Sequence, residues 1–496
     1  MKPAASWEDL KERIEFFVLG LRHPLLTEPG RDVWDLSTSH YSLSTEYNKL
    51  LWHVWNEQSN AVRQITGIQK ETAGRMELRF QKFGKGPPGT LILAESRAAP
   101  EQVERRSQRA RYAQALRRFL AQLFPQWKIE ELSSETNLAQ SFSGRYTRGL
   151  LCRGQQAWAV IGSGEQEDPS AAEGILTYGL IWLDWLRRHR AKKVITGLKI
   201  FVPAKRAATT LHRLAWMDSR LAQWEVYETG DDVRRCDPAD VGNLKTSLEP
   251  AEEPIPPSPP VERWIERIEA LSPAIDRRSG PDGFGCWSVR GFPFARETTR
   301  GVVFGIGRAE TPLEEQAFAQ LERLVSKLLR WRRPESPDPQ HPFYRMWPER
   351  WLKSLLLRQI TCLGCDLIPG AVYEQVTAVS GTERGVMDLL ALNSQGRLVV
   401  VELKASEDIH LPLQALDYWM RVQWHQQRGE FERHRYFAGR LLSPEPPLLL
   451  LVSPALQFHS ACEIVSRYFS PAIEVVRLGL AESWREELRV IFRSAR

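Results

Sequence analysis

The chain has 496 residues, 42% hydrophobic and 26% charged, the proportions of a soluble globular protein with material for two to four domains. No apolar run reaches membrane-spanning length, and Glu8, Asp9 and Glu12 stand where a secretory leader would be apolar, so a cytoplasmic protein without a membrane partner is expected. A net charge of +6 is a mild basic bias compatible with nucleic acid, and six cysteines are too few for a disulfide framework.

In chain order, Arg75–Phe80 alternates like a strand and runs into the glycine-rich stretch Lys82–Thr90, which lacks the G-K-[ST] ending of a phosphate-binding loop and reads as a turn. Basic runs follow at Arg105, Arg106, Arg109 and Arg111, at Arg187, Arg188, Arg190, Lys192 and Lys193, and later at Arg330, Arg332 and Arg333. Solvated helix ends compete with anion contact as their explanation. Between Glu249 and Pro260 lie six prolines, the composition of an extended spacer. The breaks suggest an α/β module at 1–104, a domain at 105–245, a proline-rich linker at 246–261, a module at 262–340 that is a candidate repeat of the first, and a domain at 341–496. No helicase or ATPase signature occurs, so coupling to translocation would need a partner ATPase, and a homodimer is the other assembly considered.

The richest chemistry lies in the last domain. Trp347-Pro348-Glu349 opens an amphipathic helix. Val386–Leu392 and Arg397–Lys404, joined by Asn393-Ser-Gln-Gly396, read as a β-hairpin. A symmetry point near Gln395 sets Asp388 opposite Glu402, at roughly 5 Å. Lys404 shares the Glu402 face because strand side chains alternate. Two carboxylates facing each other in a Val-rich hairpin are costly without a cation, and Mg²⁺, or Mn²⁺ in its place, suits oxygen ligands. Gln414 and Tyr418 share one face of a helix opening near Pro412 and ending before Gly429; Arg421, His425 and Arg428 extend that face as candidate nucleic-acid contacts, and Trp419 and Trp424 could stack on unpaired bases. Cys362, Cys365, His459 and Cys462 have chelate spacing in pairs, a candidate zinc set whose competing reading is buried thiols.

The set Asp388, Glu402-Leu-Lys404 and Gln414-x-x-x-Tyr418 resembles the PD-(D/E)xK nuclease superfamily, in its RecB-type branch; Met387 replaces the usual proline. The resemblance covers residues 341–480 and implies a restriction-endonuclease-like fold, a mixed sheet flanked by helices. It implies Mg²⁺-dependent phosphodiester hydrolysis of nucleic acid, with DNA expected. In that family Asp388 and Glu402 hold metal, Lys404 activates or positions water, an upstream glutamate (Glu349, or alternatively Glu374) supports the metal, and Gln414 with Tyr418 orients substrate or Lys404. A scaffold or nucleic-acid-binding protein that lost turnover, and an RNase or defence nuclease, remain open readings.

The earlier half reads as a degenerate copy of the same architecture. Arg148-Gly149 and Gly154–Gly162 parallel Arg384-Gly385 and Gly396–Lys404, Leu176–Trp185 parallels Leu413–Trp419, and Val194–Pro203 parallels Leu448–Pro454. On that alignment Cys152, Val160 and Gly162 replace Asp388, Glu402 and Lys404, so the first half is expected to hold no metal. Tyr112–Leu120 against Phe318–Val325 is a further candidate pair.

Overall fold

The computed structural model describes residues 7–496 apart from 22–23, 29–32, 37–38, 47–48, 56–59, 73, 82–87, 96–98, 238, 240–243, 245, 252–255, 280–282, 308, 375 and 381–382. The chain is mixed α/β and divides into two compact units, residues 1–115 with 134–143, and residues 116–133 with 144–496. Most of the glycine-rich stretch at 82–90 lies outside the described residues.

In the first unit the helix Trp7–Gly20 covers a seven-stranded sheet whose neighbours all run antiparallel. Alternation drives this: Arg75–Gln81 buries every second residue, and Met76, Leu78 and Phe80 meet Ile14 and Val18 of the helix in one core.

The second unit contains two six-stranded sheets with the same order and the same sense at every step. The first has β1 (Lys128–Ser133), β2 (Thr147–Arg153), β3 (Gln156–Gly162), β4 (Val194–Pro203), β5 (Gln223–Thr229) and β6 (Val233–Cys236). The second has β7 (Leu367–Glu374), β8 (Leu389–Asn393), β9 (Leu398–Leu403), β10 (Leu448–Pro454), β11 (Val475–Leu480) and β12 (Val490–Ala495). In each, the first three strands and the last pair are antiparallel, whereas the third, fourth and fifth run parallel. Parallel neighbours need a crossover, and helices supply it. These are α1 (Pro169–His189) and α2 (Ala208–Leu214) in the first lobe. In the second, α3 (Pro348–Arg358) precedes β7, and α4 (Leu411–Gln427) and α5 (Ala461–Ser466) make the crossovers. The central strands are buried on both faces, which is why β10 opens with five consecutive apolar residues, Leu448–Val452.

The two lobes pack through their crossover helices, α5 lying against α1 and α4, and α2 against both as well. At their junction Met217 and Phe469 form an antiparallel bridge: Asp218 donates its N–H to the Tyr468 carbonyl at 2.8 Å, and Ser470 donates to the Trp216 carbonyl at 2.7 Å.

Between the lobes in sequence, a five-stranded antiparallel meander (Ile275–Ser279 to Ala309–Pro312) shares a core with helices Pro259–Glu269 and Phe318–Trp331. The two ends of the expected linker at 246–261 are structured, residues 252–255 lying outside the described ones: Thr246–Leu248 pairs with Thr377–Ser380, Ala251 donates its N–H to the His434 carbonyl, and Pro259 starts a helix. Leu248 is buried and the backbone groups of Glu249 and Ala251 find partners in the second lobe, so the segment is docked at its start.

Candidate active site

The hairpin register matches the symmetry read from the turn. Leu389 pairs with Val401 and Leu392 with Leu398, which puts Asp388, one residue before β8, opposite Glu402. The turn is pinned by the Asn393 side chain, whose carbonyl oxygen accepts the Gln395 and Arg397 N–H groups, and by Gly396 at φ 76°, where a Cβ would meet the Leu441 carbonyl at 2.3 Å. The expected continuous strand from Val386 is broken: Glu383–Val386 pairs with Thr377–Ser380 in a separate small sheet, and the Asp388 carboxylate takes the Leu403 N–H at 3.2 Å.

Val399, Val401 and Leu403 enter a core with Trp351 and Leu352, so the intervening Glu402 and Lys404 point to the opposite face. Glu402 is 2% exposed, and its Oε2 has no hydrogen-bond partner among the described residues. The Lys404 ammonium lies 3.8 Å from Glu402 and 3.5 Å from Asp408. From α3 comes Glu349, half-buried, whose carboxylate accepts the Ala405 N–H and feels the charges of Lys404 and Asp388. On α4, Tyr418 is buried beside Glu402 and hydrogen-bonded to Gln414, one turn away.

These neighbours set the electrostatics. Burial raises the Glu402 carboxyl well above its ordinary range, and the facing Asp388 pushes it further. Burial likewise raises Asp388, against the pull of Lys353 and Lys404, and raises Glu349. Burial alone would lower Lys404; Glu402, Glu349, Asp408 and Asp388 together outweigh it and hold the ammonium charged. Burial, then Glu402, pushes the Tyr418 phenol up to about 12. Carboxyls held above their ordinary range beside Lys404 and Lys353 make this cluster the candidate functional site.

The arrangement fits a hard divalent cation. Two opposed carboxylates, one with an oxygen that no group among the described residues satisfies, are a donor set whose burial cost such an ion relieves. Among the described residues no three His, Cys, Asp or Glu side chains form a ready cage, so further ligands would be water, a backbone carbonyl or substrate.

Of the two upstream acids, Glu349 joins this cluster. Glu374 lies on β7 opposite Leu389, bound to Arg278 at 3.1 Å with Lys353 at 4.0 Å. Two side chains the motif reading missed also belong here. Asp408 grips Lys404, and Lys353 faces Asp388 and Glu374. Lys353 stands four residues after Glu349 on the same helical face, a signal present in the sequence.

Several expectations are corrected. His425 is 1% exposed, its ring bonded to Thr246 at 2.9 Å and to Glu430, so it anchors the docked segment and offers nothing to nucleic acid. Trp419 is fully buried, its indole N–H given to the Pro447 carbonyl, and cannot stack on a base. Arg421 sits 5.7 Å from the Tyr418 ring, beside the site, while the exposed Arg428 lies over Trp424. The zinc set does not converge: Cys365 receives the Arg493 guanidinium, His459 caps Ala461, and burial pushes the Cys362 and Cys462 thiols up to about 11 and 12. The basic runs are partly structural. Arg187 donates to the Ile195 and Leu221 carbonyls, Arg188 pairs with Asp184, and buried Arg332 donates to four main-chain carbonyls.

In the first lobe the ladders assign different equivalents from those expected. Ser163 donates its N–H to the Phe201 carbonyl as Lys404 does to Val452, two residues before the prolines that end β4 and β10. Ser163 therefore stands for Lys404, Ile161 for Glu402, and Arg148, paired with Ile161, for Asp388. Pairing Arg148-Gly149 with Arg384-Gly385 misplaces that strand by four residues, because between the equivalents the ladders set the first hairpin is only one residue shorter than the one around Gln395. Buried Arg148 puts a positive charge where the other lobe has an acid.

Compared with known proteins, the chain matches no family model, and no curated protein is significantly similar to it.

Proposed function

We propose that the chain is a metal-dependent nuclease that hydrolyses phosphodiester bonds, with DNA as substrate and the second six-stranded lobe as its catalytic domain of restriction-endonuclease-like fold. The observation that carries the reading is the buried Asp388/Glu402/Lys404 cluster with the unsatisfied Glu402 Oε2. Its support is the agreement of that cluster, Glu349 and the Gln414–Tyr418 pair with the motif pattern of the PD-(D/E)xK superfamily.

In this reading Asp388 and Glu402 would hold Mg²⁺ or Mn²⁺. When bound, such an ion polarises the phosphate and makes attacking water more acidic. Lys404, kept protonated by the carboxylates around it, donates to the attacking water or a non-bridging phosphate oxygen and offsets the charge that grows in the transition state. Asp408 fixes the Lys404 ammonium from the far side. Glu349 accepts the Ala405 N–H, which ties the segment after Lys404 to α3, and its carboxylate would support the metal or its waters. Gln414 orients the Tyr418 hydroxyl beside Glu402, and Arg421 next to it suits a phosphate of the bound strand.

The test is cleavage of labelled linear, circular and branched DNA and RNA by wild-type protein and Glu402→Ala, in Mg²⁺, Mn²⁺ or EDTA. Metal-dependent cutting lost in Glu402→Ala is expected. Equal binding of substrate by both proteins without cutting would replace the nuclease with a binding module.

A further inference from the structure

The two six-stranded lobes meet as the halves of a two-fold dimer would. Met217 bridges Phe469, and the flanking bonds, Asp218 N–H to Tyr468 and Ser470 N–H to Trp216, are each other's image under a shift of 252 residues, since 216 corresponds to 468, 217 to 469 and 218 to 470. Met217 and Phe469 each stand three residues past the end of the second crossover helix (Leu214, Ser466) and six before the next strand (Gln223, Val475), so equivalent positions of the two lobes meet each other, as in an isologous contact. Two ion pairs cross the same contact without being images of each other: Arg213 of α2 binds Asp417 of α4 bidentately at 2.9 and 2.7 Å, and Arg467, just after α5, reaches Asp184 of α1 at 3.3 Å. The surface through which two such lobes associate is thus already occupied within one chain.

The symmetry stops at the chemistry. Where the second lobe has Asp388, Glu402 and Lys404, the first has Arg148, Ile161 and Ser163. An isoleucine offers no ligand, and a buried arginine whose guanidinium donates to the Tyr146 carbonyl repels any cation from the place. One pseudo-dimer therefore carries one site.

We propose, resting on the nuclease reading, that this chain is a built-in pseudo-dimer with one blank half and that it nicks duplex DNA, hydrolysing one strand per binding event. Two-fold related sites match the two-fold symmetry that relates the antiparallel strands of a duplex, and a partner without ligands leaves the second strand whole. In each event one water adds across one P–O ester bond: its oxygen ends on phosphorus as a phosphate monoester, the leaving oxygen takes a proton to become a hydroxyl, and the remaining proton goes to solvent. No second copy can supply the missing site through the same contact, because the blank lobe already fills it.

The experiment is a time course on supercoiled plasmid with the full chain in Mg²⁺ or Mn²⁺, at less than one protein per plasmid, together with light scattering. Open circles are expected to accumulate nearly to completion before linear product appears, from a protein with the 57.0 kDa mass of one chain. Ser163→Ala is expected to keep the wild-type rate, whereas Lys404→Ala loses at least 100-fold. Linear product formed from the first time points in constant ratio to open circles, or a loss in Ser163→Ala matching that in Lys404→Ala, would overturn the proposal while leaving the nuclease reading intact. No metal-dependent cutting at all, or cutting unchanged in Glu402→Ala, would remove both.

Discussion

Glu402→Gln makes the metal-free protein more stable while abolishing its activity, if the two opposed carboxylates exist to hold a cation. The substitution keeps the side chain's shape and removes its charge. Across a ladder the Asp388 and Glu402 side chains lie about 5 Å apart, where two like charges at an effective dielectric near 20 repel by roughly 3 kcal/mol. Uptake of a proton by the pair relieves part of that, and loss of the Lys404 contact offsets some more, leaving about 2 kcal/mol in favour of Gln at pH 8. For a domain of this size the gain is roughly 4–8 °C in melting midpoint. The assay is thermal denaturation in EDTA and again in 10 mM Mg²⁺. Wild type gains stability with the ion, by about 2.7 kcal/mol once the ion stands at 100 times its dissociation constant. Glu402→Gln starts higher in EDTA and gains little from Mg²⁺. A variant that melts below wild type in EDTA and responds equally to the ion would refute the reasoning.

The same carboxylates give a pH signature. Asp388, Glu402 and Glu349 are all raised on folding, so the stability they contribute is fully present below the unfolded carboxylate range near about pH 4 and is lost as pH rises through their higher folded values. The melting difference between Glu402→Gln and wild type in EDTA should therefore widen from pH 4 to pH 8; a constant difference contradicts it. Breaking the Arg213–Asp417 pair with Arg213→Met should cost about 3 kcal/mol, because it strands a carboxylate that is mostly buried, and Asp417→Leu in the same chain should recover at least half in urea denaturation. A double variant no more stable than the single would deny the pair its place in the lobe contact.

The hairpin was legible because two local signals agree. The Asn393–Gly396 turn and the Val-rich arms fix one register, and with it the opposition of Asp388 and Glu402. Gln414 and Tyr418 were legible for the same reason, since helical spacing is local. The two acids Glu349 and Glu374 could not be separated from sequence, because the choice depends on Arg278, 96 residues before Glu374, which engages that carboxylate. His425 was misread on similar grounds: helical spacing aligned it with Arg421, but its ring is held by Thr246, 179 residues away. The repeated lobe was visible in the order of its elements, but its residue equivalences follow parallel ladders that no local signal sets.

The central claim is that Asp388 and Glu402 bind a metal that hydrolyses phosphodiesters beside Lys404, and single-turnover cleavage of an end-labelled duplex in Mn²⁺ tests it most directly. The account predicts cutting by wild type that stops on chelation, and a fall of at least 100-fold in Asp388→Asn with duplex affinity retained. Cutting by Asp388→Asn at the wild-type rate would contradict it.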